Sequence, residues 1–152
     1  MYKIIIILIL IPLLTLTFFE GRKAYWDYRV TEMCEKDGGI KVKNVFIANL
    51  ATYESLKNNF GQLDIPKKGS ERGAGVALVR TNKDTFINDS KPKVRKSVTS
   101  IIRAADNAAI ATKTSYSRVG GDLIALHPSY FSCPKNDKDF YSLVVVKEDL
   151  KK

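Results

Sequence analysis

The chain is poor in the residues that carry chemistry. It has one histidine, His127, and two cysteines, Cys34 and Cys133. One imidazole, two distant thiols and scattered carboxylates make no zinc spacing, and Asp37-Gly38-Gly39 lacks the alternating acidic positions of a calcium loop. No G-x-S-x-G elbow, P-loop or G-x-G-x-x-G fingerprint occurs, nor any internal repeat. These absences argue against metal, nucleotide and dinucleotide chemistry. Neither a cofactor nor a metal is expected.

Other absences concern the start of the chain. Ile4 to Phe19, IIIILILIPLLTLTFF, holds no charge. As a helix it is about 24 Å long at 1.5 Å per residue, short against a hydrocarbon core of about 30 Å. Tyr2, Lys3, Arg22, Tyr25 and Trp26 are placed to reach the interfaces and make up the difference. Pro12 is tolerable in a membrane helix, with a kink. No small-residue cleavage site follows; Phe18 and Phe19 stand where small residues are wanted. No cysteine closes the run, so the lipoprotein pattern is missing too. An uncleaved membrane anchor over residues 1–19 is the preferred reading. A cleaved signal peptide and a buried core helix are the alternatives.

Positive charge lies on both sides of the run, so the positive-inside rule does not orient it. The cysteines do. Their even count behind an export-like start favours pairing in an oxidising compartment, with two unrelated buried thiols as the alternative. The folded part is then expected outside the cytoplasm.

From Glu20 to Lys36 there is no proline and no glycine beyond Gly21. Trp26, Val30, Met33 and Cys34 fall on one helical face, and Glu32 and Lys36 have the spacing of an i, i+4 pair. Gly38-Gly39 is a stop signal. One long helix is predicted, membrane segment plus a stalk over residues 20–37, followed by a small domain over 38–152. WDYRVTEMCEKDGGIKVK (26–43) then reads as a junction: the stalk docks, Gly38 and Gly39 turn the chain, and Cys34 locks the corner to Cys133.

The rest reads as follows. Residues 40–47 form a β-rich run, 51–60 a short helix closed by Gly61, and 62–74 a turn-rich loop. Residues 75–82 form a strand and 87–93 a loop. Residues 93–118 form a β-hairpin turning at Asp106-Asn107. Residues 119–137 form a structured loop and 140–147 a last strand. Gly120 and Gly121 suit positive φ at a strand end. The fold class is α+β: a long N-terminal helix, then a small, mainly antiparallel sheet.

CEKDGGIKV (34–42) and SYSRVGGDLIALHPSYFSCP (115–134) resemble motifs of a group of small, uncharacterised bacterial exported or membrane-anchored proteins. These share an N-terminal hydrophobic segment, a C-x-K-D-G-G-x-K-V motif and a later G-G-D…H-P-S-x-F-x-C-P motif. The resemblance covers both ends of the soluble part; residues 48–90 lie outside it. Here Lys43-Asn44 stands where the group often has Tyr-Glu. The resemblance implies a bacterial envelope protein and no mechanism.

Two functional features remain. His127, Ser129 and Asp122 are the residues of a hydrolytic triad, packed into one loop. His-Pro-Ser more often makes a rigid turn, so catalysis is the lesser reading. The chain carries +9, and residues 20–152 keep +8. Ten Lys or Arg lie between 67 and 103, among them Lys67, Lys68, Arg72, Lys91, Lys93, Arg95, Lys96 and Arg103. Only Phe86 within that stretch could stack a base, so nucleic acid is disfavoured. A solvated face is the ordinary reading; an anionic surface or an envelope protein is the preferred partner, beside the membrane itself. A binding role is preferred to an enzymatic one.

Overall fold

The computed structural model describes residues 2–73, 75–122, 128–134 and 140–148. Helix α1 runs unbroken from Tyr2 to Asp37 and ends where Gly38 and Gly39 stand. Gly38 donates its N–H to the Cys34 carbonyl at 2.8 Å. A Cβ at Gly38 would lie 2.5 Å from that same oxygen and 2.7 Å from Cys34 Sγ, so only glycine fits. Gly39 then takes φ +102° and starts the sheet.

The main sheet contains β1 (Gly39–Val42), β3 (Leu78–Asn88), β4 (Lys93–Arg103), β5 (Ala109–Val119) and β6 (Tyr130–Cys133), all antiparallel. Its order is β1-β5-β4-β3, with β6 also on β5. A second, parallel pair joins β2 (Phe46–Ala48) to β7 (Val145–Lys147). Helices α2 (Leu50–Ser55) and α3 (Phe140–Val144) complete the fold, with a 3-10 turn at Glu71–Gly73. This is the α+β arrangement of helix followed by mainly antiparallel sheet.

The β4–β5 hairpin turns where the sequence predicts. Asn107 adopts φ 55°, and Asp106 Oδ1 accepts the Ala108 N–H at 3.1 Å. Elsewhere the boundaries differ. The 40–47 run splits, because the N–H groups of Lys43 and Asn44 both turn back to the Ile110 carbonyl, at 2.8 and 3.1 Å. The predicted strand at 75–82 begins at Leu78 and continues to Asn88, which shrinks the 87–93 loop to a four-residue turn. Asn88 braces that turn by donating to the Pro92 carbonyl at 2.6 Å. The 119–137 loop contains β6. The 140–147 segment opens as α3, since Phe140 and Val144, four apart, are both buried on one helical face. Glu32 pairs with Arg29 at 2.5 Å.

Two cores lie on opposite faces of the main sheet. Leu56, Ile65, Leu78, Ile101, Ile110, Phe140 and Val144 fill one, under α2 and α3. Val30, Val94 and Tyr116 form the other, with Trp26, Met33, Cys34, Phe131 and Cys133 against them. The second core is the docking surface of α1. The apolar half of α1 stands clear of the domain, and its window of highest hydropathy is wholly unburied. It is long and apolar enough to cross a membrane.

Candidate functional site

Three sets of side chains fasten α1 to the sheet. Cys34 and Cys133 are bonded, with Cα atoms 6.1 Å apart and a sequence separation of 99. Such a bond belongs to an oxidising compartment. Above it, Asp37 closes the helix end. Its carboxylate accepts from Lys96 Nζ at 2.6 Å and from the Tyr116 hydroxyl at 2.5 Å. The Lys96 hydrogen bond, and then that from Tyr116, hold the Asp37 carboxyl below its usual range.

The third set surrounds Arg118, which is only 1% exposed. Its Nε donates to Asp27 Oδ1 at 2.5 Å, and Nη2 reaches Asp27 Oδ2 at 3.4 Å. Nη1 donates to the Gly120 carbonyl and, at 3.0 Å, to Ser129 Oγ. The fork of the guanidinium thus spans helix, strand and loop. No sequence signal marks Arg118; its partner lies 91 residues away.

The predicted triad lands beside this knot. Asp122 Oδ2 accepts the Ser129 N–H at 2.7 Å, and Oδ1 lies 3.4 Å from Lys23 Nζ on α1. His127 lies outside the described residues. Asp122 and Ser129 are therefore brought together as a loop closure, with the Ser129 hydroxyl also engaged by Arg118 and Asp122. The Ser129 backbone bond, then its hydroxyl, lower the Asp122 carboxyl to about 2. The unfolded chain titrates this group near 3.9. Its contribution to stability is thus complete above about pH 4 and is lost as pH falls toward 2. Thermal unfolding of the Asp122→Asn chain should show a flatter stability profile between pH 5 and 2.5 than the unsubstituted chain. Superimposable profiles would contradict this role.

Gly120 and Gly121 adopt φ +79° and +100°. At Gly121 a Cβ would press on Pro92 at 3.1 Å, so the loop after β5 lies directly against the β3–β4 turn. Among the described residues, no group of three His, Cys, Asp or Glu could hold a metal.

The basic stretch divides. Lys67, Lys68, Arg72 and Arg103 collect at the end of the sheet away from the apolar helix. There Lys68 bonds Asn107 at 2.8 Å, Arg72 meets Asp64 at 3.1 Å and Arg103 meets Asp106 at 3.2 Å. Lys91, Lys93 and Arg95 sit at the other end, and Lys96 faces α1 between them. The length of β3 and β4, eleven residues each, carries the two groups to opposite ends of the sheet. At the helix-proximal end, Lys91, Lys93, Val119, Gly120, Gly121, Asp122 and Pro128 line a shallow hollow of about 300 Å³. A groove of about 580 Å³ at the far end runs between Phe46, Thr52 and Arg103.

No family model, no curated protein and no solved structure matches the chain. The functional reading rests on its own residues.

Proposed function

We propose that this protein is a non-enzymatic, single-span protein of the bacterial envelope. Its folded domain lies on the periplasmic side and binds a protein partner or an anionic surface. The observation that carries the reading is the continuity of α1. One helix supplies the apolar segment and, without a break, the face that is packed, ion-paired and disulfide-bonded to the sheet. The domain is thereby held close to the membrane in a fixed attitude, which suits binding at a surface. The disulfide supports an oxidising side, and the two motifs near Cys34 and Cys133 support a bacterial source. The position of Ser129, held between Arg118 and Asp122, favours a structural use of that loop.

Reporter fusions after Lys152 test the topology. A reporter that matures only in the periplasm is expected to be active, and a cytoplasm-only reporter silent. The reverse pattern would overturn the reading.

A further inference from the structure

The apolar stretch of α1 closes at Phe19, and Lys23 lies four residues on, about 6 Å further along the axis. The headgroup layer on each side of a bilayer is about 5–7 Å thick. Lys23 therefore falls within it when the apolar segment spans. The Lys23–Asp122 contact brings the loop after β5 to that level, and the packing of Gly121 on Pro92 brings the β3–β4 turn beside it.

That end of the domain carries a rim of apolar and aromatic side chains: Tyr130 is 63% exposed, Phe86 55%, Ile87 43% and Val119 39%. Lys93, Val119 and Tyr130 form one row across β4, β5 and β6. Phe86 lies beside it, with Lys93 Nζ 5.9 Å from its ring. Lys91 and Lys93 flank the hollow above Gly120 and Gly121. Among the described residues, the carboxylates of this end are engaged: Glu20 and Asp122 with Lys23, Asp89 with Lys93 at 3.7 Å, and Asp84 with Arg95 at 3.3 Å. Aromatic rings beside lysines, at headgroup depth, are what a membrane–water interface favours.

We infer that this rim is a docking surface for the phospholipid headgroup layer of the bilayer that α1 spans. Tyr130, Phe86, Ile87 and Val119 enter the interface, and Lys91 meets lipid phosphates beside the Lys93–Asp89 pair. The inference rests on the membrane-anchored reading and names its anionic surface. The far end of the sheet is well removed from this rim, because Lys93 and Ile101 are eight residues apart on β4, about 26 Å. The far end stays in water.

The test uses the full chain with Trp26→Phe, so that a single introduced tryptophan reports. It is reconstituted in phosphatidylcholine–phosphatidylglycerol vesicles, some lipids carrying a nitroxide on the headgroup. The Tyr130→Trp and Phe86→Trp chains are expected to lose most of their emission to the nitroxide. A Phe60→Trp chain, at a position 88% exposed beside α2, is expected to keep it. Chains that float with the vesicles while Tyr130→Trp and Phe86→Trp keep full emission would overturn the docking surface and leave the anchor standing. Chains that do not float with vesicles would overturn both.

Discussion

Replacing Cys34 and Cys133 together by alanine should lower the free energy of unfolding by about 3–5 kcal/mol. The bond closes a loop spanning a sequence separation of 99 residues. Chain entropy puts the cost of leaving a loop of that size open near 4.7 kcal/mol, and removal of native disulfides from small exported domains falls in the same range. The particular contacts sharpen the expectation. Cys133 closes β6, a strand of four residues, and its sulfur sits 3.5 Å from the Val30 carbonyl. Without the covalent tie, β6 keeps its ladder with β5 and the packing of Phe131. Trp26, the single tryptophan, lies in the same core and reports the transition directly. Guanidinium unfolding in detergent, followed by that fluorescence, should show a lower midpoint with the slope little changed. A loss below about 1 kcal/mol would mean that α1 stays docked through its other contacts alone.

Much of the helix–sheet junction is legible in sequence, and the reason is local. Trp26, Val30, Met33 and Cys34 repeat with the helical period, and a period survives folding because it belongs to one element. The same holds for the Asp106-Asn107 turn, where the side chains themselves favour the bend. What escapes is set by partners far along the chain. Arg118 sits in a Ser-Tyr-Ser-Arg run that alternates like a half-exposed strand; only the approach of Asp27 makes its burial tolerable. Tyr130–Cys133 is too short to announce a strand between two prolines, and pairs because β5 offers an open edge. Phe140 to Lys147 is rich in β-formers, yet its first turn is helical, since burial of Phe140 and Val144 outweighs propensity. The candidate site behaved in the same way. The cationic positions from 67 to 103 look continuous in sequence, but a hairpin sends them to opposite ends of the sheet. The rim at Phe86, Val119 and Tyr130 is assembled from three strands and has no sequence pattern of its own.

The Arg118–Asp27 pair yields the second large effect, and it is asymmetric. Asp27→Ala removes the carboxylate from a guanidinium whose side chain is 2% exposed, leaving a buried cation with, among the described residues, the Gly120 carbonyl and Ser129 hydroxyl as acceptors. Stranding one member of a buried pair costs about 3–5 kcal/mol. Arg118→Met leaves the opposite orphan, but the Asp27 side chain is 29% exposed and water can reach it. The loss is then that of ordinary hydrogen bonds and packing, about 1–3 kcal/mol. Changing both, Asp27→Leu with Arg118→Met, removes the charges together and should recover most of the stability lost in Asp27→Ala. The three chains, unfolded under identical detergent and pH with Trp26 as reporter, form a series whose order is the prediction: Asp27→Ala least stable, the double change close to Arg118→Met or above it. Equal losses in the two single variants would mean that Arg118 reaches solvent when its partner is gone. The Arg118–Asp27 pair would then not be what holds α1 against β5, and the docked helix would depend on the Val30 core, the Asp37 contacts with Lys96 and Tyr116, the Lys23–Asp122 pair and the Cys34–Cys133 bond.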